Sequence, residues 1–230
     1  LGEPAFGEPA TVDSLLRKHI ARGRIVRVRR GLYVSVPPGA TADALQGDPY
    51  LIATKAADDA VVSHHAALQF HGRTYSVYSR VTFFTRHSIR PFRFGGTELA
   101  PVKPPRAVAE LPDLGGGIER VSHGGGEVCV ATFERAMVDV LHAPDLGGGW
   151  EEIWRSLEMV EFFDLDAVIA YTLALNTAVT AARVGFFLEQ HHETLFVEER
   201  HLEMLEAHRP SQNRYLDPRR ESGKLARRWR

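Results

Sequence analysis

Apolar residues recur at Val12, Leu15, Leu16 and Ile20, the three-to-four spacing of a helix with one buried face. Gly23 follows where such a helix stops, because glycine accepts the positive φ that turns the chain away. Beyond it the period changes to two. Val26 and Val28 alternate with Arg27 and Arg29, Arg30-Gly31 supplies a tight turn, and Leu32, Val34 and Val36 resume the alternation. The pattern predicts a helix over 11–22 followed by a short hairpin. Pro37-Pro38-Gly39 then breaks the strand and reads as a linker.

The next apolar runs predict helices over 49–58 and 63–70, with Ser63 as N-cap and Gly72 as stop. Strands are expected over 76–85, 89–94 and 127–132, with a Pro-rich connector over 101–112. The glycine triplets at 115–117 and 124–126 read as hairpin turns flanking residues 118–122. Thr132 is placed to cap a helix over 133–141, which Pro144 bars from continuing. Residues 150–207 are helical throughout. Ile153, Trp154, Leu157, Val160 and Phe163 mark the first helix, Asp164 caps a second over 165–175, a third starts at Asn176 or Thr177, and a charged one spans 198–207. The fold class expected is α/β (α+β): a small N-terminal unit over 1–40, then a mixed α/β domain over 46–230 with a helical second half.

Charge sharpens this picture. Ser14, Arg17 and Lys18 sit on the first helix, and Arg17, Lys18, Arg22, Arg24, Arg27, Arg29 and Arg30 form a run of seven cations with no carboxylate among them. A helix, a glycine stop and a basic hairpin have the form of the last helix and wing of a winged helix-turn-helix. Such a run suits phosphate contacts, since each neutralised phosphate releases condensed counterions. The formal net charge of −1 conceals the unevenness: residues 17–30 carry +7, residues 214–230 carry +5, and about −13 remains for the rest. A basic head and tail on an acidic body fit a polyanion held by the ends. Arg80, Arg86, Arg90 and Arg93, interleaved with aromatics, form a second basic surface or simply the wet face of half-buried strands. A complete winged module needs two helices ahead of 11–22, and LGEPAFGEPA is too short for both, so a trimmed N-terminus or a reduced module is expected.

Other chemistries find little support. His64, His65 and His71 lack the spacing and companion ligands of a zinc site, and neither glycine triplet has a phosphate-cradling form. His191-His192-Glu193 is not HExxH, Glu134 and Asp139 do not share a helix face, and no nucleophile has a signature around it. No catalytic residue, metal or cofactor is therefore expected. Cys129, the single cysteine, permits no internal disulfide and reads as a buried strand residue, which fits a reducing cytoplasm. No apolar run reaches the ~18 residues of a membrane span.

The series RIVRVRRGLY, VVSHHAALQFHG, VATFERAMVDVLH, RVGFFLEQH and YLDP ahead of a tryptophan resembles the AbiEi family of type IV toxin–antitoxin antitoxins, over roughly residues 22–229. The resemblance implies a winged helix-turn-helix that binds operator repeats and represses its own operon, and a C-terminal α/β domain that carries antitoxin activity. It implies a nucleotidyltransferase toxin as partner, countered without a stable complex in many members. Carried onto this chain, the recognition-helix candidates are Ser14, Arg17 and Lys18, and the wing candidates Arg27, Arg29 and Arg30. The N-terminal ten residues depart from the family pattern. Two other classes stay open at this point: a metal-dependent nuclease with a degenerate wing, and a protein-interaction module.

Overall fold

A six-stranded mixed sheet organises the described residues, 9–212 and 226–229 of this computed structural model. The basic positions Arg214, Arg219, Arg220, Lys224 and Arg230, the YLDP motif and residues 1–8 lie outside them. In chain order, α1 (Pro9–Ala21) leads into the hairpin β1 (Ile25–Arg29) and β2 (Leu32–Ser35). Then come α2 (Pro49–Thr54), β3 (Val61–Val62), α3 (His64–Phe70), β4 (Arg80–Phe84), β5 (Phe92–Phe94) and β6 (Thr97–Val102). After α4 (Arg106–Ala109), a second hairpin pairs β7 (Ile118–His123) with β8 (Gly126–Ala131), followed by α5 (Phe133–His142). The rest is helical: α6 (Trp150–Glu158), α7 (Leu165–Ala174), α8 (Ala178–Gln190) and α9 (Glu199–Glu206). This is the α/β class expected.

The sheet order is β5-β6-β4-β3-β8-β7, parallel at β4/β6 and β3/β8 and antiparallel elsewhere. Alternation along the strands sends Val62, Val81, Phe83, Leu99, Val128 and Val130 into the main core. Val61, Phe84 and Cys129 gather with Leu114 in a smaller cluster. Cys129 is buried in β8, as its surroundings in the sequence predict. The helix α5 is the hub, packed against α3, α7 and α8 with Ala136, Met137, Val140 and Leu141 fully buried. Thr132 caps it, accepting from the Arg135 amide at 3.4 Å, and Asp164 caps α7 in the same way at 3.0 Å.

Arg135 and Asp139, one turn apart on α5, are 1% exposed, and they explain why the sequence there is so particular. An Arg135 Nη1–H donates to the carbonyls of Leu114 at 3.0 Å, Asp113 at 3.4 Å and Gly116, while its guanidinium lies 4.4 Å from the Tyr171 ring centre. The Tyr171 hydroxyl donates to Asp139 at 2.8 Å. The glycines at 115–117 are therefore not a hairpin turn; Gly115 and Gly116 belong to a turn whose carbonyls converge on a buried cation. Gly124-Gly125 does turn the β7–β8 hairpin, at φ of +56° and +80°.

Other expected elements shorten. The helix at 49–58 ends at Thr54. The strand at 76–85 shrinks to Arg80–Phe84 because the amides of Tyr75 and Ser76 donate to Ser156 and Glu152 of α6, at 2.9 and 2.8 Å, instead of to a neighbouring strand. The strand at 89–94 is reduced to Phe92–Phe94, and the first helix of the second half stops at Glu158. The connector at 101–112 begins inside β6, where Pro101 stands opposite Phe83. Ser63 holds the N-cap position of α3, yet its hydroxyl lies 2.9 Å from His64 Nδ1 rather than capping the helix. No helix among the described residues is long and apolar enough to cross a membrane.

Candidate nucleic-acid interface

At about 100° per residue, Ser14, Arg17 and Lys18 share one side of α1, opposite the stripe of Val12, Leu15, Leu16 and Ile20. The helix ends as its sequence predicts. Gly23 takes φ +64°, the Arg24 amide reaches back to the His19 carbonyl at 3.0 Å, and the Gly23 amide to Ile20 at 2.9 Å. Leu16 and His19 are half-buried. Val12, Leu15 and Ile20 stay 39–50% exposed, so the apolar side of α1 is only partly covered by the described residues.

The hairpin pairs Ile25 with Ser35, Val26 with Val34 and Arg27 with Tyr33, but the next pair is Arg29 with Leu32. That irregularity at Val28 breaks the strict alternation predicted from the sequence. Arg27 is exposed whereas Arg29 turns inward, its guanidinium 5.3 Å from the Phe92 ring centre. Val28, Leu32 and Val34 pack against the main core. The hairpin thus leans on the six-stranded sheet rather than standing free, and Arg29 holds it there instead of facing solvent with its neighbours.

Ser14, Arg17, Lys18, Arg22, Arg24, Arg27 and Arg30 are all exposed. None of the six cations in that group is paired with a carboxylate among the described residues. Helix α1 and the hairpin β1–β2 therefore present an excess of positive charge, with Asp13 as the one carboxylate on these elements and Ser14 among their exposed hydroxyls. Cationic side chains with nothing to neutralise them attract polyanions and steer their approach.

The second basic stretch is different. Arg80 stands 3.9 Å from Glu98, and the register places Arg93 opposite the same carboxylate. The Arg86 Nε–H donates to the Ala109 carbonyl at 2.7 Å, and an Arg93 Nη–H to that of Gly96 at 3.5 Å. Arg90 is exposed, beside a shallow basin of about 350 Å³ that Lys103 also lines. The interleaved rings are occupied: Phe83 and Phe84 are at most 1% exposed, Tyr78 stacks on His65 at 4.3 Å, and Tyr75 accepts from Arg155 at 2.8 Å. Phe83 and Phe84 thus lie on the buried face of β4, while Tyr75 and Tyr78 stay partly exposed in the loop before it.

The histidines of VVSHHAALQFHG are structural in position. His64 is buried, and desolvation drives its pKa down to about 3. His65 Nε2 lies 3.2 Å from Glu152, and His71 Nε2 is 2.8 Å from the Ala131 carbonyl. Sequence reasoning missed Glu152 because it lies 87 residues away. It also missed a small cluster in which ligand atoms of Asp58, Asp59 and His87 lie within 4.8 Å of one another. Those groups already serve each other and the loop: His87 sits 2.9 Å from Asp58, and Asp59 accepts from Thr85 and from the Arg86 amide at 2.5 and 2.7 Å.

No protein-family model and no curated protein matches the chain. Among solved structures it is similar to the Rv2827c protein from Mycobacterium tuberculosis, at 17% identity and a TM-score of 0.55, covering 87% of this chain and 71% of that one. At that identity the likeness is one of fold, and the fold it places this chain beside is α/β.

Proposed function

We propose that this chain is a DNA-binding antitoxin and transcriptional autorepressor of a type IV toxin–antitoxin operon, acting in the cytoplasm against a nucleotidyltransferase toxin. The observation that carries the reading is the set of six exposed, unpaired cations on α1 and the β1–β2 hairpin, with Ser14 among them. In a winged module the helix enters the major groove and the wing lies on phosphate or in the minor groove. Arg17, Lys18 and Ser14 take the first role. Arg27 and Arg30 take the second, with Arg22 and Arg24 on adjoining phosphates. The operator is expected to consist of inverted repeats upstream of the chain's own gene. The toxin is countered through function and need not be held in a stable complex; no catalytic step is assigned to this chain.

A reporter driven by the upstream region tests the repressor half: the protein supplied in trans should lower expression, and Arg27→Ala/Arg30→Ala should restore it. Co-expression with the neighbouring nucleotidyltransferase gene tests the other half, through rescue of growth. An unrepressed reporter together with unrescued growth would end the proposal. A metal-dependent nuclease is the second reading, and Asp58, Asp59 and His87 are the only grouping of three metal-ligand side chains found among the described residues. Cleavage of DNA or RNA by pure protein, dependent on Mg²⁺ or Mn²⁺ and lost in Asp59→Asn, would favour it.

A further inference from the structure

The loops after α6 and α8 hold two phenylalanines out in water, Phe162 at 82% and Phe196 at 78% exposure. Both rim one groove of about 390 Å³, floored by Leu157, Val160 and Leu195. Phe196 is fixed in that position. The Leu195 amide donates to His191 and the Val197 amide to His192, each at 2.9 Å, and both flanking side chains are buried. Phe196 is left at φ +52°, a left-handed backbone that a bulky residue rarely adopts. Single exposed apolar side chains are ordinary, but a contiguous set around a groove marks a binding surface.

Charge says what fits. Glu158 and Glu161 line the same groove, both exposed and neither ion-paired among the described residues. Glu193 adds a third carboxylate on the adjoining loop, with His192 beside it at 3.8 Å. Among the described residues no Lys or Arg lines the groove. Arg155, on the preceding turn of α6, is engaged with Glu151 at 2.7 Å and Tyr75 at 2.8 Å. His191 stacks on Phe187 at 4.4 Å, and its Nδ1 lies 2.9 Å from the Phe187 carbonyl.

We propose that this groove docks an amphipathic helix of a partner protein, one whose apolar stripe is flanked by Lys and Arg. The stripe lies on Leu157, Val160 and Leu195 between the two phenylalanines, and the cations meet Glu158 and Glu161. The site shares no element with α1 and the β1–β2 hairpin, so it stands apart from the DNA-binding reading.

The test is fluorescence anisotropy of the full chain with a labelled helical peptide that repeats Leu-Lys-Lys-Leu, and with its counterpart bearing Glu in place of Lys. The Lys peptide should bind at least about tenfold more tightly than the Glu peptide. Phe162→Ser/Phe196→Ser should lose at least about tenfold, with an unchanged far-UV circular dichroism spectrum. Glu158→Gln/Glu161→Gln should erase the preference for the basic peptide. Equal binding of both peptides, no binding, or binding indifferent to the phenylalanine pair would overturn the proposal. Self-association by sedimentation that Phe162→Ser/Phe196→Ser abolishes would also overturn it, assigning the groove to a second copy of this chain.

Discussion

The guanidinium carbon of Arg29 lies 5.3 Å from the centre of the Phe92 ring, so the hairpin carrying the basic run is fastened to β5, an edge strand of the six-stranded sheet. Contacts of this kind contribute roughly 0.5–2 kcal/mol, depending on how well water is excluded. Arg29 and Arg27 are near neighbours in sequence and opposites in role.

That opposition is measurable. Arg27→Ala and Arg30→Ala are expected to leave the melting temperature nearly unchanged while flattening the dependence of log K on log salt by about 0.9 each. Arg29→Ala should instead lower thermal stability by about 1 kcal/mol. Thermal unfolding and DNA titrations at four salt concentrations separate the two; equal melting losses for all three variants would contradict the assignment.

Acid should destabilise the protein through its buried histidines. Desolvation lowers the pKa of His64 to about 3 and also lowers those of His65 and His142. The unfolded chain then binds protons that the native state refuses, so stability is full above the ordinary histidine pKa of 6.5 and is lost as pH falls below it. Asp139 works the other way. Burial raises it to about 6 even with Arg135 beside it, so its contribution favours the fold as pH falls from 6 towards 3.8. His64 is moved further from its ordinary value than Asp139 is, and His65 and His142 act in the same direction as His64, so urea unfolding should show net loss between pH 6.5 and 4. His64→Asn should make that loss shallower by up to about 1.4 kcal/mol per pH unit, and Asp139→Asn should make it steeper.

Trp229 is 2% exposed, with its indole N–H donating to Glu189 at 2.8 Å and its ring lying flush against Gly185 of α8. A Cβ at Gly185 would overlap that ring. Gly185→Ala is therefore expected to cost about 1–3 kcal/mol through overpacking and to expel the indole. A red shift in tryptophan emission and faster proteolysis near the C-terminus would show it. Unchanged emission would mean that the segment at 226–229 is held by Arg228 and its carboxylates, Glu199 at 2.5 Å and Glu206 at 2.9 Å, rather than by the ring.

Local rules made much of the fold legible in the sequence. The α1 stop at Gly23, the turn at Gly124-Gly125, and the caps Thr132 and Asp164 depend on a residue and its near neighbours, and each stands where the pattern places it. What escaped depends on distant partners. Glu152 collects the amide of Ser76 and the ring of His65 from far along the chain, so that one strand starts late. Arg135 reads as an ordinary helix cation and proves to be the largest fully buried side chain among the described residues, because carbonyls from the 113–116 turn and the Tyr171 ring meet it inside. At the candidate interface, residue type and position were legible for Ser14, Arg17, Lys18, Arg27 and Arg30. A local irregularity at Val28 turned Arg29 inward, and no two-residue period foretells that.

The most direct measurement is fluorescence anisotropy of the full chain on its own upstream DNA and on a scrambled duplex of equal length, across a salt series, for the wild type and Arg27→Ala/Arg30→Ala. Preference for the upstream DNA is expected, with a steep salt dependence and a slope shallower by about 2 in the double variant. Equal affinity for both duplexes would reduce the surface to a general polyanion binder, and an unchanged slope in the variant would place the DNA contacts elsewhere on the molecule.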